Sequence, residues 1–246
     1  AASSDYPLRD VYKRQLEALD QVAVITESLG RLADADLIYA EAYELWLTHF
    51  GPDDSGTLTA MGNLGNVRRA QGKMAEAEPL LRDSLAGRRR LLGNEARETL
   101  VAMNTMGFVY ASRGEFALAE PLWREAYETG RRVFGEDHPD VIVWTYNLPG
   151  LLGGMGKLSE AESLYRIVLE KYRRLYGDAH PTTVAVLGGL CTNLIQQSRL
   201  ADAEPIAREA VERARASAGP EHPITVSAMV QFGSLLTQRE RADEAV

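Results

Sequence analysis

A spacing of 42 residues runs along the chain and constrains its fold more than any other feature of the sequence. Three columns of mostly small residues fall at this interval. They are Gly51, Gly93, Gly135, Gly177 and Gly219; Ala35, Ala77, Ala119, Ala161, Ala203 and Ala245; and Gly30, Gly72, Gly114 and Gly156, continued by Ser198 and Glu240. Such a fixed period is typical of one supersecondary unit that is stacked many times. The sequence therefore predicts a repeat array, which offers a long surface rather than a closed catalytic pocket.

Each unit reads as two helices. In residues 55–93, one stripe with the i, i+3, i+4 spacing of a helix face ends at Gly72, and a second stripe runs from Ala77 to Leu92. Glycine after each stripe favours a helix C-terminus. We call the first helix of a unit helix A and the second helix B. Small residues of helix A, such as Gly65 and Gly107, are expected to pack against large residues of helix B, which are Tyr39, Leu81, Trp123 and Tyr165.

Several stretches resemble the tetratricopeptide repeat, in the longer form found in kinesin light chains. They are His138-Pro139 with Tyr146-Asn147-Leu148, Gly156-Lys157-Leu158-Ser159-Glu160-Ala161-Glu162, and Gly72-Lys73-Met74-Ala75-Glu76-Ala77-Glu78. The resemblance covers about residues 16–246. It implies an all-α fold, an α-solenoid of stacked antiparallel helix pairs in a right-handed superhelix. Helices A would line its concave groove, and helices B would form the convex outside.

The period also predicts the domain organisation. A single array of about five and a half repeats would span residues 16–246, with repeats at about 16–54, 55–96, 97–138, 139–180, 181–222 and, truncated, 223–246. Residues 1–15 precede the pattern and are expected to be a non-native or disordered leader. Pro149 stands where the family has a small residue in the middle of a helix A. Because proline removes a backbone hydrogen bond there, we predict a bend near Asn147–Gly150.

Charge limits the range of partners. The net charge of −8 and the pI near 5.2 argue against nucleic acid and acidic membranes. A basic column near the ends of helices B is favourable beside the helix dipole, which favours a structural role for Arg89, Arg131, Arg173 and Arg215. The longest uncharged stretch, residues 141–156, is too short to span a bilayer. We predict no nucleic-acid partner, no membrane partner and a cytoplasmic location.

Helix B also carries acidic and basic residues four positions apart. The order Glu before Arg at i, i+4 favours side-chain pairing on a solvated helix surface. The predicted pairs are Glu78–Arg82, Glu120–Arg124, Glu162–Arg166 and Glu204–Arg208.

No constellation of residues predicts catalysis. His138, His180 and His222 recur with the period, each before a proline, so equivalent positions lie about 10 Å apart or more, too far to share a zinc ion. The His-Pro pairs are expected to start helices A. Cys191 falls in a packed column and is expected to be an inert core thiol. We therefore predict no enzymatic activity, no cofactor and no metal.

The groove side of helix A is the predicted binding surface. The family geometry places there a nearly uncharged set of amides, hydroxyls and aromatic rings. The candidate peptide-binding residues are Asn63, Asn66, Arg69, Asn104, Thr105, Phe108, Tyr146, Asn147, Thr192, Gln196 and Gln231. Side-chain amides both donate and accept hydrogen bonds, so a ladder of them suits the backbone of an extended peptide. Gly150, Gly188 and Gly189 are expected to leave room for bulky ligand side chains.

These features predict a non-enzymatic protein–protein interaction scaffold that binds an extended peptide or a partner domain. The first alternative is a self-association module, because the open ends of an array expose apolar helix faces that can stack on another copy. The second alternative is a regulatory or sensor part of a larger multidomain protein, whose effector or enzymatic domain lies outside this sequence.

Overall fold

The computed structural model describes the backbone of residues 6–244 and the side chains of residues 9–240. Within these residues the chain forms eleven α-helices and no strand. They are α1 (Tyr6–Ser28), α2 (Leu32–Phe50), α3 (Ser55–Ala70), α4 (Met74–Leu92), α5 (Arg97–Ser112), α6 (Phe116–Phe134), α7 (Pro139–Gly154), α8 (Leu158–Tyr176), α9 (Pro181–Gln196), α10 (Leu200–Ala218) and α11 (Pro223–Glu244). The odd-numbered helices are the predicted helices A, and the even-numbered ones are helices B. The first helix begins at Tyr6, inside the predicted leader, whose non-native origin stays a prediction.

Neighbouring helices pack in the order of the sequence. The chain divides after Val133 into two compact units, unit 1 (residues 1–133) and unit 2 (residues 134–246). In unit 1, α1 to α5 pack in succession, and the helix A α3 also contacts the helices A α1 and α5. In unit 2, α7 to α11 pack in succession, and α9 also contacts α11. These contacts confirm an all-α solenoid built from stacked helix pairs.

The two glycine columns end helices in different backbone conformations. After helix B, Gly51, Gly93, Gly177 and Gly219 have φ of 81–86° and ψ of 166–173°, a region that is open almost only to glycine. After helix A, Gly72 has φ 78°, and Ser198 adopts φ 60° in the same column. The left-handed α region tolerates a short polar side chain there. This difference explains why only the second column accepts a serine.

The small and large columns of unit 1 interlock as predicted. Ala35, Ala77 and Ala119 are completely buried. A Cβ added to Gly65 would lie 2.7 Å from Leu81 Cγ, and one added to Gly107 would lie 2.3 Å from Trp123 Nε1. No room is left for a methyl group at either glycine, so these contacts fix how closely helix A approaches helix B. Ala245, the last member of the alanine column, lies outside the described residues.

Unit 2 packs differently around Pro149. The buried Pro149 takes the place that Gly65 and Gly107 hold in unit 1. The ring of Tyr165 lies against Gly189 of the next helix A, where an added Cβ would be 2.6 Å from its Cε1. Helix α7 continues through Pro149 to Gly154 without interruption. The bend near Asn147–Gly150 stays a prediction.

Carboxylates of helix B join each repeat to the next one. Three of the four predicted i, i+4 pairs form, with N–O distances of 2.9 Å for Arg124–Glu120, 2.8 Å for Arg166–Glu162 and 2.8 Å for Arg208–Glu204. The fourth prediction is wrong, because Arg82 pairs with Asp83, and Glu78 instead pairs with Arg113 of the following repeat. Glu162 and Glu204 pair in the same way with Arg199 and Arg239. These glutamates therefore form ion pairs with the following repeat and are not merely solvated.

Polar side chains cap most of the helices A. The Asp54 carboxylate accepts the Gly56 N–H at 2.8 Å. Three histidines do the same through Nδ1, each at 3.2 Å from the N–H two residues later; they are His138, His180 and His222. Pro139 and Pro181 open the helices directly after their caps, as the sequence predicts. At the equivalent position of α5, Ala96 has the same extended backbone and no capping side chain.

The missing cap gives a first testable prediction. Ala96→Asp should stabilise the protein by about 1 kcal/mol, because the backbone of Ala96 (φ −65°, ψ 138°) already matches that of Asp54 (φ −77°, ψ 142°). His138→Ala should destabilise it by a similar amount, since it removes an existing cap. Urea denaturation followed by circular dichroism measures both changes. Equal midpoints for the wild type and Ala96→Asp would contradict the capping account.

Candidate functional site

Two of the cavities in the described part of the chain lie along helices A, and we call them the cavity of unit 1 and the cavity of unit 2. The cavity of unit 1 has a volume of about 480 Å³ and is lined mainly by α1, α3 and the end of α4. The cavity of unit 2 has a volume of about 680 Å³ and lies between α9 and α11. Both volumes fall within the range of about 300–1,000 Å³ that is usual for ligand pockets.

Only part of the predicted binding set lines these cavities. Asn63 lines the cavity of unit 1, and Thr192 and Gln231 line the cavity of unit 2. The other predicted residues lie outside both; they are Asn66, Arg69, Asn104, Thr105, Phe108, Tyr146, Asn147 and Gln196. The two cavities thus contain three of the eleven candidates, and the other eight lie on other parts of helices A.

The two predicted aromatic platforms differ in their contacts. Phe108 is 40% exposed and meets the ring of Trp123 edge-on, with a centroid distance of 5.1 Å. Tyr146 is half-buried and packs against Tyr172 at 5.9 Å. Phe108 therefore presents an accessible ring face that the packing of Trp123 holds in place.

The amide of Gln231 is used inside the protein. Its side-chain nitrogen donates to the Gly188 carbonyl at 2.9 Å and to the Thr192 hydroxyl at 2.6 Å. These two bonds join α11 to α9 and occupy both amide hydrogens. The prediction of a free amide ladder is therefore wrong at this residue, where only the side-chain oxygen stays available as an acceptor.

The space expected at two glycines is filled by the protein itself. The Gln231 side-chain oxygen lies 3.2 Å from the point where a Cβ of Gly188 would sit, and Tyr165 fills the space at Gly189. Burial and the neighbouring Tyr146 raise the pKa of Tyr165 to about 12, so its hydroxyl is protonated at neutral pH. These glycines serve the packing of α8, α9 and α11 rather than a ligand.

The cavity of unit 1 has charged residues in its walls, and one of them, Arg88, comes from a helix B. Its walls include Asp20 from α1, Trp46 from α2 and Arg88 from α4. The sequence predicts helix B residues on the convex outside, yet Arg88 lines this cavity, one helical turn after the buried Ser84. The i, i+4 relation to a buried residue was a signal that Arg88 faces α3.

Two of the four arginines in the basic column of helices B form ion pairs with the next helix B. Arg89 pairs with Glu125 at 2.9 Å, and Arg173 pairs with Glu209 at 2.7 Å, each from one helix B to the next. Arg132 pairs with Glu95 at 2.7 Å in the same region. These ion pairs support the structural role predicted for the column, because paired arginines offer little positive field to a phosphate backbone.

The histidines and the cysteine have structural surroundings. Three of the histidines cap helices, and within the described residues no group of three or more His, Cys, Asp or Glu side chains could hold a metal ion. Cys191 is completely buried, and burial raises the pKa of its thiol to about 11. A buried thiol that stays protonated at neutral pH is a poor nucleophile.

No helix in the described part of the chain has the length and apolar character needed to cross a membrane.

Sequence comparison with protein families agrees with the repeat pattern. A family profile described as tetratricopeptide repeat matches residues 14–90 and 183–246, which together exceed half of the chain. The chain belongs to the tetratricopeptide repeat family. A second profile with the same description matches residues 99–140 and 147–182, so tetratricopeptide repeats account for nearly all of the sequence. A comparison with curated protein sequences gives no match.

Solved tetratricopeptide repeat structures share the fold at low sequence identity. A Podosopora anserina protein, described as a kinesin light chain with nearly identical TPR-like repeats, has a TM-score of 0.71 at 16% identity, over 83% of this chain and 97% of that one. BtubC (BKLC) from P. vanneervenii has a TM-score of 0.70 at 18% identity, over 90% and 94%. YrrB, described as a TPR protein with an unusual peptide-binding site, has a TM-score of 0.59 at 19% identity, over 93% and 99%. These similarities show that the chain has the fold of a tetratricopeptide repeat array.

Proposed function

We propose that this chain is a non-enzymatic interaction scaffold that binds an extended peptide of a protein partner along its helices A. Its tetratricopeptide repeat fold is that of a protein-interaction scaffold. The observation that carries the finer proposal is the cavity of unit 2, which opens between two neighbouring helices A. A partner domain could present such a peptide as an exposed loop or terminus.

The lining of this cavity suits a peptide. Apolar side chains such as Val184, Ile224 and Ala228 can take up ligand side chains, and the exposed Val230 extends this apolar surface. Hydroxyl and amide oxygens of Thr192, Ser234 and Gln231 stand beside them and can accept backbone N–H groups. Such a combination of apolar contact and convergent polar groups is typical of ligand sites. YrrB, which has the same fold, is described as having a peptide-binding site.

Two exposed valines of α11 provide a matched test. Val230 is 67% exposed and lines the cavity, whereas Val226 is 43% exposed and lies outside it, one helical turn away. Peptides selected from a displayed library of random linear sequences should bind Val230→Asp at least tenfold more weakly than wild type, a loss of about 1.4 kcal/mol, because a carboxylate would have to be desolvated against the ligand. Val226→Asp should bind them like wild type.

The same pair of variants separates the proposal from self-association. Val226 and Met229 form an exposed apolar face on α11, which is the observation that favours a second copy as partner. Light scattering after size-exclusion chromatography would then show a dimer that Val226→Asp dissociates. Equal peptide affinity in wild type and Val230→Asp, with unchanged melting curves, would contradict the peptide site in unit 2.

A further inference from the structure

The cavity of unit 1 carries charges of both signs, whereas the residues that line the cavity of unit 2 are uncharged. Asp20 on α1 and Arg88 on α4 both line it, and in the described part of the chain no ion pair joins them. Apolar side chains such as Leu58, Leu91 and Val24 form the rest of the wall. A charged group beside apolar walls costs free energy unless an oppositely charged or hydrogen-bonding group lies against it. Asp20 and Arg88 therefore indicate which charged groups a ligand of this cavity would carry.

Asp20 has an acceptor that the protein leaves unused. One carboxylate oxygen accepts the indole N–H of Trp46 at 2.9 Å, and the other is buried without a hydrogen-bond partner. Burial raises the pKa of Asp20; the bond from Trp46 opposes this shift, and the charge of Glu17 adds to it. A positively charged ligand group beside the Asp20 carboxylate would offset the repulsion from Glu17.

Arg88 has donors that the protein uses poorly. Its guanidinium reaches the Ser84 hydroxyl at 3.3 Å, the Thr59 hydroxyl at 3.3 Å and the Leu58 carbonyl at 3.4 Å, all of them long and to neutral oxygens. Burial lowers the pKa of Arg88, which the charge of Glu98 partly offsets, but no carboxylate of the described residues lies within ion-pair distance. A carboxylate could accept two parallel hydrogen bonds from this group.

We infer that the cavity of unit 1 binds a segment of the ligand in which a basic and an acidic residue stand close together. The basic side chain lies against Asp20, the acidic side chain against Arg88, and the apolar walls cover their aliphatic stems. This inference rests on the proposed function, since it gives the charge pattern of the same kind of peptide. It is independent of the cavity in unit 2.

Selection from a displayed library of random linear peptides tests this charge pattern. Sequences enriched on the wild-type chain should share one Lys or Arg and one Asp or Glu at a constant separation. For a synthetic peptide of this kind, Asp20→Asn should lower the affinity about tenfold, a loss of about 1.4 kcal/mol, because it removes the negative charge that faces the basic residue. Asparagine keeps an oxygen for Trp46. The analogue with norleucine in place of the basic residue should bind wild type and Asp20→Asn equally.

Arg88→Gln should likewise lower the affinity about tenfold for the peptide that carries the acidic residue. An analogue with glutamine in place of that acidic residue should bind wild type and Arg88→Gln equally. Asp34→Asn and Arg132→Gln are the controls, because both residues are exposed and outside the cavity. Enriched peptides without a shared charge pattern, or equal losses for charged and neutral analogues, would overturn the inference and leave peptide binding intact. If no peptide is enriched on the wild-type chain, the proposed function itself fails.

Discussion

Gly107→Ala should destabilise the protein by about 1–3 kcal/mol, whereas Gly233→Ala, in the same column of the repeat, should stabilise it by about 0.5–1 kcal/mol. An alanine methyl at residue 107 would lie 2.3 Å from Trp123, which is 4% exposed and whose indole N–H donates to the Asn104 carbonyl at 2.9 Å. At Gly233 no described atom lies within 4 Å of the added methyl, so the higher helix propensity of alanine acts alone.

Urea denaturation of both variants and a double-mutant cycle with Trp123→Ala test this account. Trp123→Ala alone should cost about 3–5 kcal/mol, because it leaves a cavity under α5. In that background Gly107→Ala should cost little, since the side chain that it would meet is gone. An equal cost of Gly107→Ala in both backgrounds would show that contact with Trp123 is not the cause.

The period predicted the features that depend on the backbone. Helices A begin at Ser55, Arg97, Pro139, Pro181 and Pro223. Apart from the start of α5, which has neither a capping side chain nor a proline, these starts follow from local chemistry, namely polar caps and proline at the first turn. Gly107 and Trp123 could likewise be paired from their places in the columns, because a buried small residue in one helix requires a large one opposite.

The sequence did not predict which contacts the long side chains make. Tyr165 shares its column with Trp123, yet it packs on the following helix A, because Pro149 fills the place of the small residue. Glu78 has an arginine one turn later but pairs with Arg113. A repeat period gives the place of a residue within its unit. It does not say which of two neighbouring helices a flexible side chain will reach.

The candidate sites show the same limit. The helix A pattern placed Asn63, Thr192 and Gln231 on a common surface, and these residues do line cavities. The hydrogen bonds of Gln231 depend on packing between repeats, and the approach of Arg88 to Leu58 depends on how helix B packs on helix A within one repeat. These contacts join residues 30, 39 and 43 positions apart, and a period read along one helix contains no information about them.

Acid should destabilise the array through the carboxylates that join its repeats. The pKa of Glu162 lies below its ordinary value of 4.5, because hydrogen bonds from Arg166 and Gln197 and the charge of Arg199 outweigh the opposing effect of burial. The pKa of Glu204 is lowered by hydrogen bonds and charge from Arg208 and Arg239, and burial opposes this shift only weakly. The pKa of Asp36 is lowered by hydrogen bonds and charge from Lys73 and Arg68, which outweigh the opposing effect of burial.

A carboxylate whose pKa is lower in the folded state binds its proton more weakly there than in the unfolded chain. Its stabilising contribution is therefore complete at neutral pH, begins to fall near the ordinary values of 3.8 and 4.5, and is lost as pH drops through the folded-state values. We expect the free energy of unfolding, measured in urea, to fall steeply below about pH 4.5.

Glu162→Gln isolates one such group. This variant should be less stable than wild type at pH 7 and should lose less stability on acidification, so that the two chains converge at low pH. Glu170→Gln is the matched control, because Glu170 is exposed on the same helix and its carboxylate makes no ion pair with a described residue. Its pH profile should follow that of wild type. If the free energy of unfolding of Glu162→Gln also stays parallel to that of wild type from pH 7 to acid, the bonds of Glu162 to Arg166 and Arg199 do not stabilise the contact between repeats.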